Sequence, residues 1–180
     1  MSGLMRNHPN ELEAALWIVN DNLTRYPLNS LERGAAGIFL SVPASGESVA
    51  LEEYERFMRP YDLALLQALH GRGEFHIAHM HGSRLHFDRV LDYPVHAVSW
   101  ADREAGPSLA EARRRTGLPF VGGIAQTSFP HVRPAVIREQ VRRAHAEVGR
   151  RKLLLAPGCS LPTSSPVALI RAARDAAATV

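Results

Sequence analysis

The sequence predicts an α/β fold of parallel strands, each joined to the next by a helix. Three observations carry that prediction. Short β-type apolar runs alternate with stretches of helical spacing along the whole 180-residue chain, and alternation of this kind implies crossover helices over a parallel sheet. Glycine or proline stands at most joints, where a strand must stop or a helix must start. Hydrophobic residues make up 46% and charged residues 22%, the balance of a packed globular domain rather than a disordered chain. At this length one domain is expected, covering residues 1–180.

Taken in order, a helix opens at Pro9 or Asn10, with Leu12, Ala15, Leu16, Ile18 and Val19 as its apolar stripe. A second helical stretch runs from about Asn29 to Gly34. The first strand is GIFLSVPA (37–44), closed by Pro43 and a Gly/Ser loop. Residues 49–72 are expected as one long helix, ended by Gly71 and Gly73. FHIAHMHG (75–82) is the second strand, stopped by Gly82, and a short helix over 84–91 leads to VHAVSW (95–100). Helix 108–116 leads to PFVGGI (119–124). Helix 134–149, with Pro134 in its first turn, leads to KLLLAPGC (152–159). A last helix spans 165–178, with Ser165 as its cap and Pro166 first.

Those are five strand–helix units. A complete (β/α)8 barrel needs about 250 residues, so five units cannot close one. Three arrangements follow: a barrel fragment, a barrel whose missing strands come from another polypeptide, or an open doubly wound sheet.

The bulk properties narrow the function. No apolar run approaches the roughly 20 residues needed to span a membrane, so no membrane association is expected. The start, MSGLMRNHPNELEA, lacks the basic-then-apolar order of a signal peptide, and a cytoplasmic address is the expectation. The net charge is only +3. Arginines cluster at 113–115, 142–143 and 150–151 on expected helices, as solvated faces do, and no nucleic-acid partner is expected. Cys159 is the single cysteine, so it is free, a ligand or buried.

In parallel architectures the site forms at the carboxyl ends of the strands. That rule selects Ser41 with Pro43, His79 to Gly82, Ser99 to Asp102, and Pro157 to Cys159. Side chains two apart on a strand share a face, so His79 and His81 point together, away from His76, Ala78 and Met80. Two imidazoles with the Cys159 thiolate suit zinc, with the fourth position open to water or substrate. A pair of hydrogen-bonded histidines and a small buried cysteine are the plainer alternative. Ser41 is a candidate contact for a substrate carboxylate or carbonyl, and equally a turn former. Asp102 is a candidate general base, a partner for a histidine, or a helix cap. Trp100 is a candidate substrate contact. Gly122 and Gly123 admit a close ligand approach or a tight bend. No GxGxxG, P-loop or GxSxG motif is present, which removes any signal for nucleotide and serine-hydrolase chemistry.

Read together, GIFLSVPA, the helix carrying FMRPY (57–61), FHIAHMHG, VHAVSWADREAGPSLAEAR, PFVGGI and APGCSLPTSSPVALI resemble the C-terminal half of the uroporphyrinogen decarboxylase superfamily. The resemblance implies a partial TIM (β/α)8 barrel with the last five strands of the full fold. It also offers two chemistries. The decarboxylase branch is similar at Ser41, but carries a histidine about where Gly158 stands. Its carboxylate-gripping arginines and aspartate lie in the N-terminal half of the family, which these units do not include. The zinc-dependent, corrinoid-linked methyltransferase branch has a His-x-Cys at the second of these strands and a Pro-Gly-Cys after the last. This chain has His79-Met80-His81 and Pro157-Gly158-Cys159. An imidazole in place of a thiolate removes one negative charge, which would strengthen zinc as a Lewis acid toward a bound thiol.

The resemblance therefore implies a zinc-dependent methyltransferase-like enzyme. His79, His81 and Cys159 would be the metal ligands, and Ser41 and Asp102 catalytic candidates. Ser41, Trp100, Gly122 and Gly123 would be substrate contacts, with a corrinoid as methyl donor. A metal-free decarboxylase acting on tetrapyrrole carboxylates, and a non-catalytic subunit or truncated remnant, are the alternatives. Besides a small-molecule substrate, the expected partner is a chain supplying the missing strands or a homodimer mate, because exposed strand edges invite pairing.

Overall fold

A computed structural model describes residues 2–179. Five strands form one parallel sheet: β1 (Phe39–Val42), β2 (Ile77–Met80), β3 (Ala97–Trp100), β4 (Phe120–Ile124) and β5 (Leu153–Pro157). Their spatial order is their chain order, β1-β2-β3-β4-β5. A doubly wound sheet reverses its order at a switch point. This sheet has no reversal, so that arrangement is excluded, and five consecutive parallel units make a partial barrel.

The helices are α1 (Ser2–Asn7), α2 (Pro9–Glu32), α3 (Leu51–Phe57), α4 (Arg59–Ala68), α5 (Leu109–Arg115), α6 (Pro134–Val148) and α7 (Val167–Ala177). Several expectations need correction. Residues 9–32 are one helix rather than two, and α1 was not foreseen. The long helix expected over 49–72 is two, broken at Met58 (φ −125°, ψ −61°). Pro60 has no N–H to return to the Arg56 carbonyl, so one continuous helix would leave that group unpaired. The helix expected over 84–91 is only a 3₁₀ turn, Phe87–Arg89. Ser165 does not cap the last helix; Pro166 holds that position. The best-formed cap belongs to α5, where Ser108 Oγ accepts from the Glu111 N–H at 3.3 Å and the Glu111 carboxylate accepts the Ser108 N–H at 2.8 Å.

Strand alternation sorts the sheet into two faces. Val42, Ala78, Met80, Val98, Trp100 and Phe120 are buried in the helix-covered core. Trp100 lies edge-on between Phe87 and Phe120, with ring centroids 4.9 and 5.3 Å away. The opposite, concave face carries Phe39, Ser41, His79, Ser99, Val121 and Ala156, which line an open cavity of about 500 Å³. Phe39 is 57% exposed and Leu154 44% exposed, because β1 and β5 are the edge strands among the described residues.

Candidate metal centre

Register places the site. Ser41, His79 and Ser99 are Cα partners across β1, β2 and β3, so three polar side chains stand in one row on the concave face. His81 leaves the end of β2 two residues on and shares the face of His79. Cys159 arrives from the loop after β5. Gly158 makes that arrival possible: its N–H bonds the Ile124 carbonyl at 3.0 Å, and a Cβ there would lie 2.6 Å from Ala101 Cα. Only glycine lets the loop pass this close to the end of β3.

The three residues converge. One donor atom from each of His79, His81 and Cys159 falls within a 4.8 Å set, and Cys159 Sγ lies 3.7 Å from His81 Nδ1. On a tetrahedral zinc, bonds of about 2.3 Å to sulfur and about 2.0 Å to nitrogen put those two atoms about 3.6 Å apart. That edge is already at bonding separation, and the His79 donor lies within 4.8 Å of the other two. The donors fit the ion.

His79 is prepared for that role. It is 5% exposed, stacked on Phe39 with ring centroids 5.3 Å apart. Burial first, and then the neighbouring His81, hold its pKa below the ordinary imidazole range, which favours the neutral ring a metal requires. Its Nδ1 is 3.2 Å from Ser99 Oγ. That contact fixes the ring and leaves Nε2 as the free donor.

Four sequence candidates do not reach this face, and each has a physical reason. Trp100 is fully buried on the helix side, where its Nε1 donates to the Pro107 carbonyl at 2.7 Å; it is a core residue. Asp102 is likewise buried, with its Oδ1 accepting the Gly123 N–H at 2.9 Å and its Oδ2 3.2 Å from Arg103 Nε. It meets no histidine and caps no helix. A Cβ on Gly122 would collide with the Asp102 carboxylate, and one on Gly123 (φ +104°) would sit 2.9 Å from Ala144 Cβ. The two glycines make room for Asp102 and α6, and neither lines the cavity. Ser41, by contrast, is exposed on the concave face beside His79.

Two residues assigned no role from the sequence stand at the site. Ser99 was legible: it is the one polar residue of Ala97-Val98-Ser99-Trp100, and because successive side chains point to opposite faces, the face that takes Ser99 cannot take Trp100. Glu47 was not. It enters from the loop after β1 and accepts the Ser83 N–H at 2.9 Å and the Ser83 hydroxyl, bonds that hold its pKa below the usual carboxylate value. With Glu104 and Gln126 it walls a second cleft, about 280 Å³, that opens onto His81 and Cys159. No spacing pattern joins residues so far apart in sequence.

A parallel half-barrel with a two-imidazole, one-thiol cluster at its strand ends defines a partial α/β barrel with a candidate metal site. The chain belongs to the uroporphyrinogen decarboxylase (URO-D) family, whose sequence model matches residues 1–180. Among solved structures, it is similar to a methyltransferase from Methanosarcina mazei at TM-score 0.86 and 17% identity, covering 99% of this chain and 52% of that one. It is also similar to a B12-independent methionine synthase from Shewanella sp. W3-18-1 in complex with selenomethionine (TM-score 0.67, 14% identity, 96% and 55% of the two chains). A dihydropteroate synthetase with a bound product gives TM-score 0.54 at 18% identity, over 79% and 57%. These likenesses concern the fold, and the chain spans about half the length of each. No curated protein sequence matches it. Among the described residues no helix is long and apolar enough to cross a membrane.

Proposed function

We propose that this chain carries the metal-binding half of a thiol-methylating barrel enzyme, with zinc held by His79, His81 and Cys159. The observation that carries the reading is the convergence of those three donors, with the Cys159–His81 edge at 3.7 Å. Zinc bound there supplies Lewis acidity that keeps an acceptor thiol ionised near neutral pH.

The protein's own residues do the rest. Ser99 orients the His79 ring through Nδ1. Phe39 stacks on that ring and shields it from water on one side. Ser41, exposed beside His79, offers a hydroxyl to a polar group of the acceptor in the cavity. The methyl donor, a corrinoid on this reading, would approach the open concave face. The remaining substrate walls would come from strands beyond the five. The methyltransferase and methionine synthase neighbours support this reading over a metal-free decarboxylase, as does the Pro-Gly-Cys turn.

Elemental mass spectrometry of the purified chain tests it. About one zinc per chain, lost in both His81→Ala and Cys159→Ala variants that keep the wild-type circular dichroism, is the expected result. No bound metal after reconstitution with excess zinc would sink the reading.

A further inference from the structure

The second cleft, beside His81 and Cys159, has one wall of a single chemical kind. Glu47 and Glu104 stand on it, and no lysine or arginine lines the cleft. Uncharged donors fix both carboxylates. Ser83 holds Glu47 through its N–H and hydroxyl. Glu104 accepts the Gln126 amide at 2.8 Å, the Thr127 N–H at 2.9 Å and the Thr127 hydroxyl at 2.7 Å. Arg84 acts on Glu47 through space, while its Nη2 donates to the Gly46 carbonyl at 2.9 Å. Gln126 adds a further acceptor, its buried Oε1, which has no partner.

Acidic side chains alone define no site. Here the same cleft reaches the metal ligands, and His79 also lines it. That ring is 5% exposed, and its Nε2 has no hydrogen-bond partner among the described residues. The cleft thus joins a sulfur-binding end, at His79, His81 and Cys159, to an acceptor-lined end at Glu47, Glu104 and Gln126. Two fixed carboxylates repel an anionic tail and attract a cationic one. A substrate carboxylate would find no lysine or arginine there to receive it.

We propose that the acceptor thiol carries a positively charged nitrogen on its tail, and that Glu47 and Glu104 select it. The inference rests on the zinc reading, because the metal ligands hold the sulfur end.

Cobalt-substituted protein tests the selection, with thiol binding read from sulfur-to-cobalt charge-transfer absorption. Three probes differ in charge: thiocholine, a fixed cation whose nitrogen cannot ligate metal; neutral 2-mercaptoethanol; and anionic 3-mercaptopropionate. The wild type should bind thiocholine most tightly and 3-mercaptopropionate least. Glu47→Gln with Glu104→Gln should lower the thiocholine-to-mercaptopropionate affinity ratio about tenfold, with circular dichroism and metal content unchanged. Comparing ratios between the two proteins cancels the intrinsic acidity of each thiol. Salt gives a check that needs no variant. The wild-type ratio should fall by a similar factor at about 1 M sodium chloride, where the screening length is about 3 Å. An unchanged ratio in the folded variant, or one indifferent to salt, overturns the proposal. So does a second metal equivalent that the double variant loses, which would assign the carboxylates to a cation. Failure to take up any metal instead sinks the zinc reading, and this inference with it.

Discussion

On the helix-covered side of the sheet, Asp102 is enclosed by the Gly123 N–H, the Arg103 guanidinium and the backbone of β4, and Arg103 continues to Glu147 on α6 with 3.1 Å bonds. On the concave side, His79, His81 and Cys159 stand at the ends of β2 and β5 with no acidic or basic partner within the cluster. Both groups are polar and both sit at strand ends, where sites form in parallel folds. Location alone therefore does not distinguish a structural polar network from a chemical one. Partnership does: the first group turns its bonds inward, with Asp102 Oδ1 on the Gly123 N–H and Arg103 on the Gly123 carbonyl and Glu147, leaving only the buried Asp102 Oδ2 and Arg103 Nη2 without a hydrogen bond, and the second leaves donors facing a cavity.

The largest way to break this contrast is Trp100→Ala. The ring fills the core between Phe87 and Phe120, and the expected loss is about 3–5 kcal/mol, measured by urea unfolding. A loss below 1 kcal/mol, with altered substrate handling instead, would return Trp100 to the functional side. Gly122→Ala comes next, because its methyl must displace the Asp102 carboxylate. It should cost about 1–3 kcal/mol, with much of that cost relieved when Asp102→Ala is added. Two additive losses would show that the glycine is not there for the carboxylate.

Asp102 also gives the network a pH signature. Burial raises its pKa to about 6, against the Gly123 N–H and Arg103, which act to lower it. Between about pH 4 and 6 the folded chain thus keeps a proton that the unfolded chain has released. Stability then falls as pH rises through that window, by up to about 3 kcal/mol at about 1.4 kcal/mol per pKa unit. Asp62, raised to about 6 mainly by burial, acts in the same direction, so the informative quantity is the difference between proteins. Asp102→Asn keeps the oxygen that accepts the Gly123 N–H and removes the titration. Its unfolding free energy should change less from pH 4.5 to 7 than that of the wild type. Parallel pH curves would show that Asp102 is not raised.

Much of this was legible in the sequence. The five strands, the two-residue spacing of His79 and His81, and the Pro-Gly-Cys turn all follow from local patterns, and local patterns are what strand alternation and strand-end rules read. The failures were long-range or sat beside a motif. Nothing local says that Gly122 and Gly123 exist to house a carboxylate twenty residues back. Glu47 reaches the cleft only because its loop pairs with Ser83. Trp100 was drawn into the site by its place beside Ser99 and Asp102, although period-two alternation already put it on the opposite face from His79. Pro60 splits a helix whose apolar spacing runs through the break, and periodicity without the missing N–H does not show that.

The smallest effect sharpens the comparison most. Ser99 touches the His79–His81–Cys159 cluster only through His79 Nδ1, at 3.2 Å. If the concave group is built for chemistry, Ser99→Ala should leave global stability within about 1 kcal/mol, the net worth of a single hydrogen bond. Zinc affinity should nevertheless fall about tenfold, because the His79 ring loses the contact that orients it. Competition with a chromophoric chelator reads the affinity, and urea unfolding of the metal-free chain reads the stability. A large stability loss with unchanged zinc affinity would place Ser99 with Asp102, as packing polarity satisfied inside the fold. The contrary pattern would show that the two sides of the sheet are held by different criteria, one by closure and the other by leaving a ligand's place prepared.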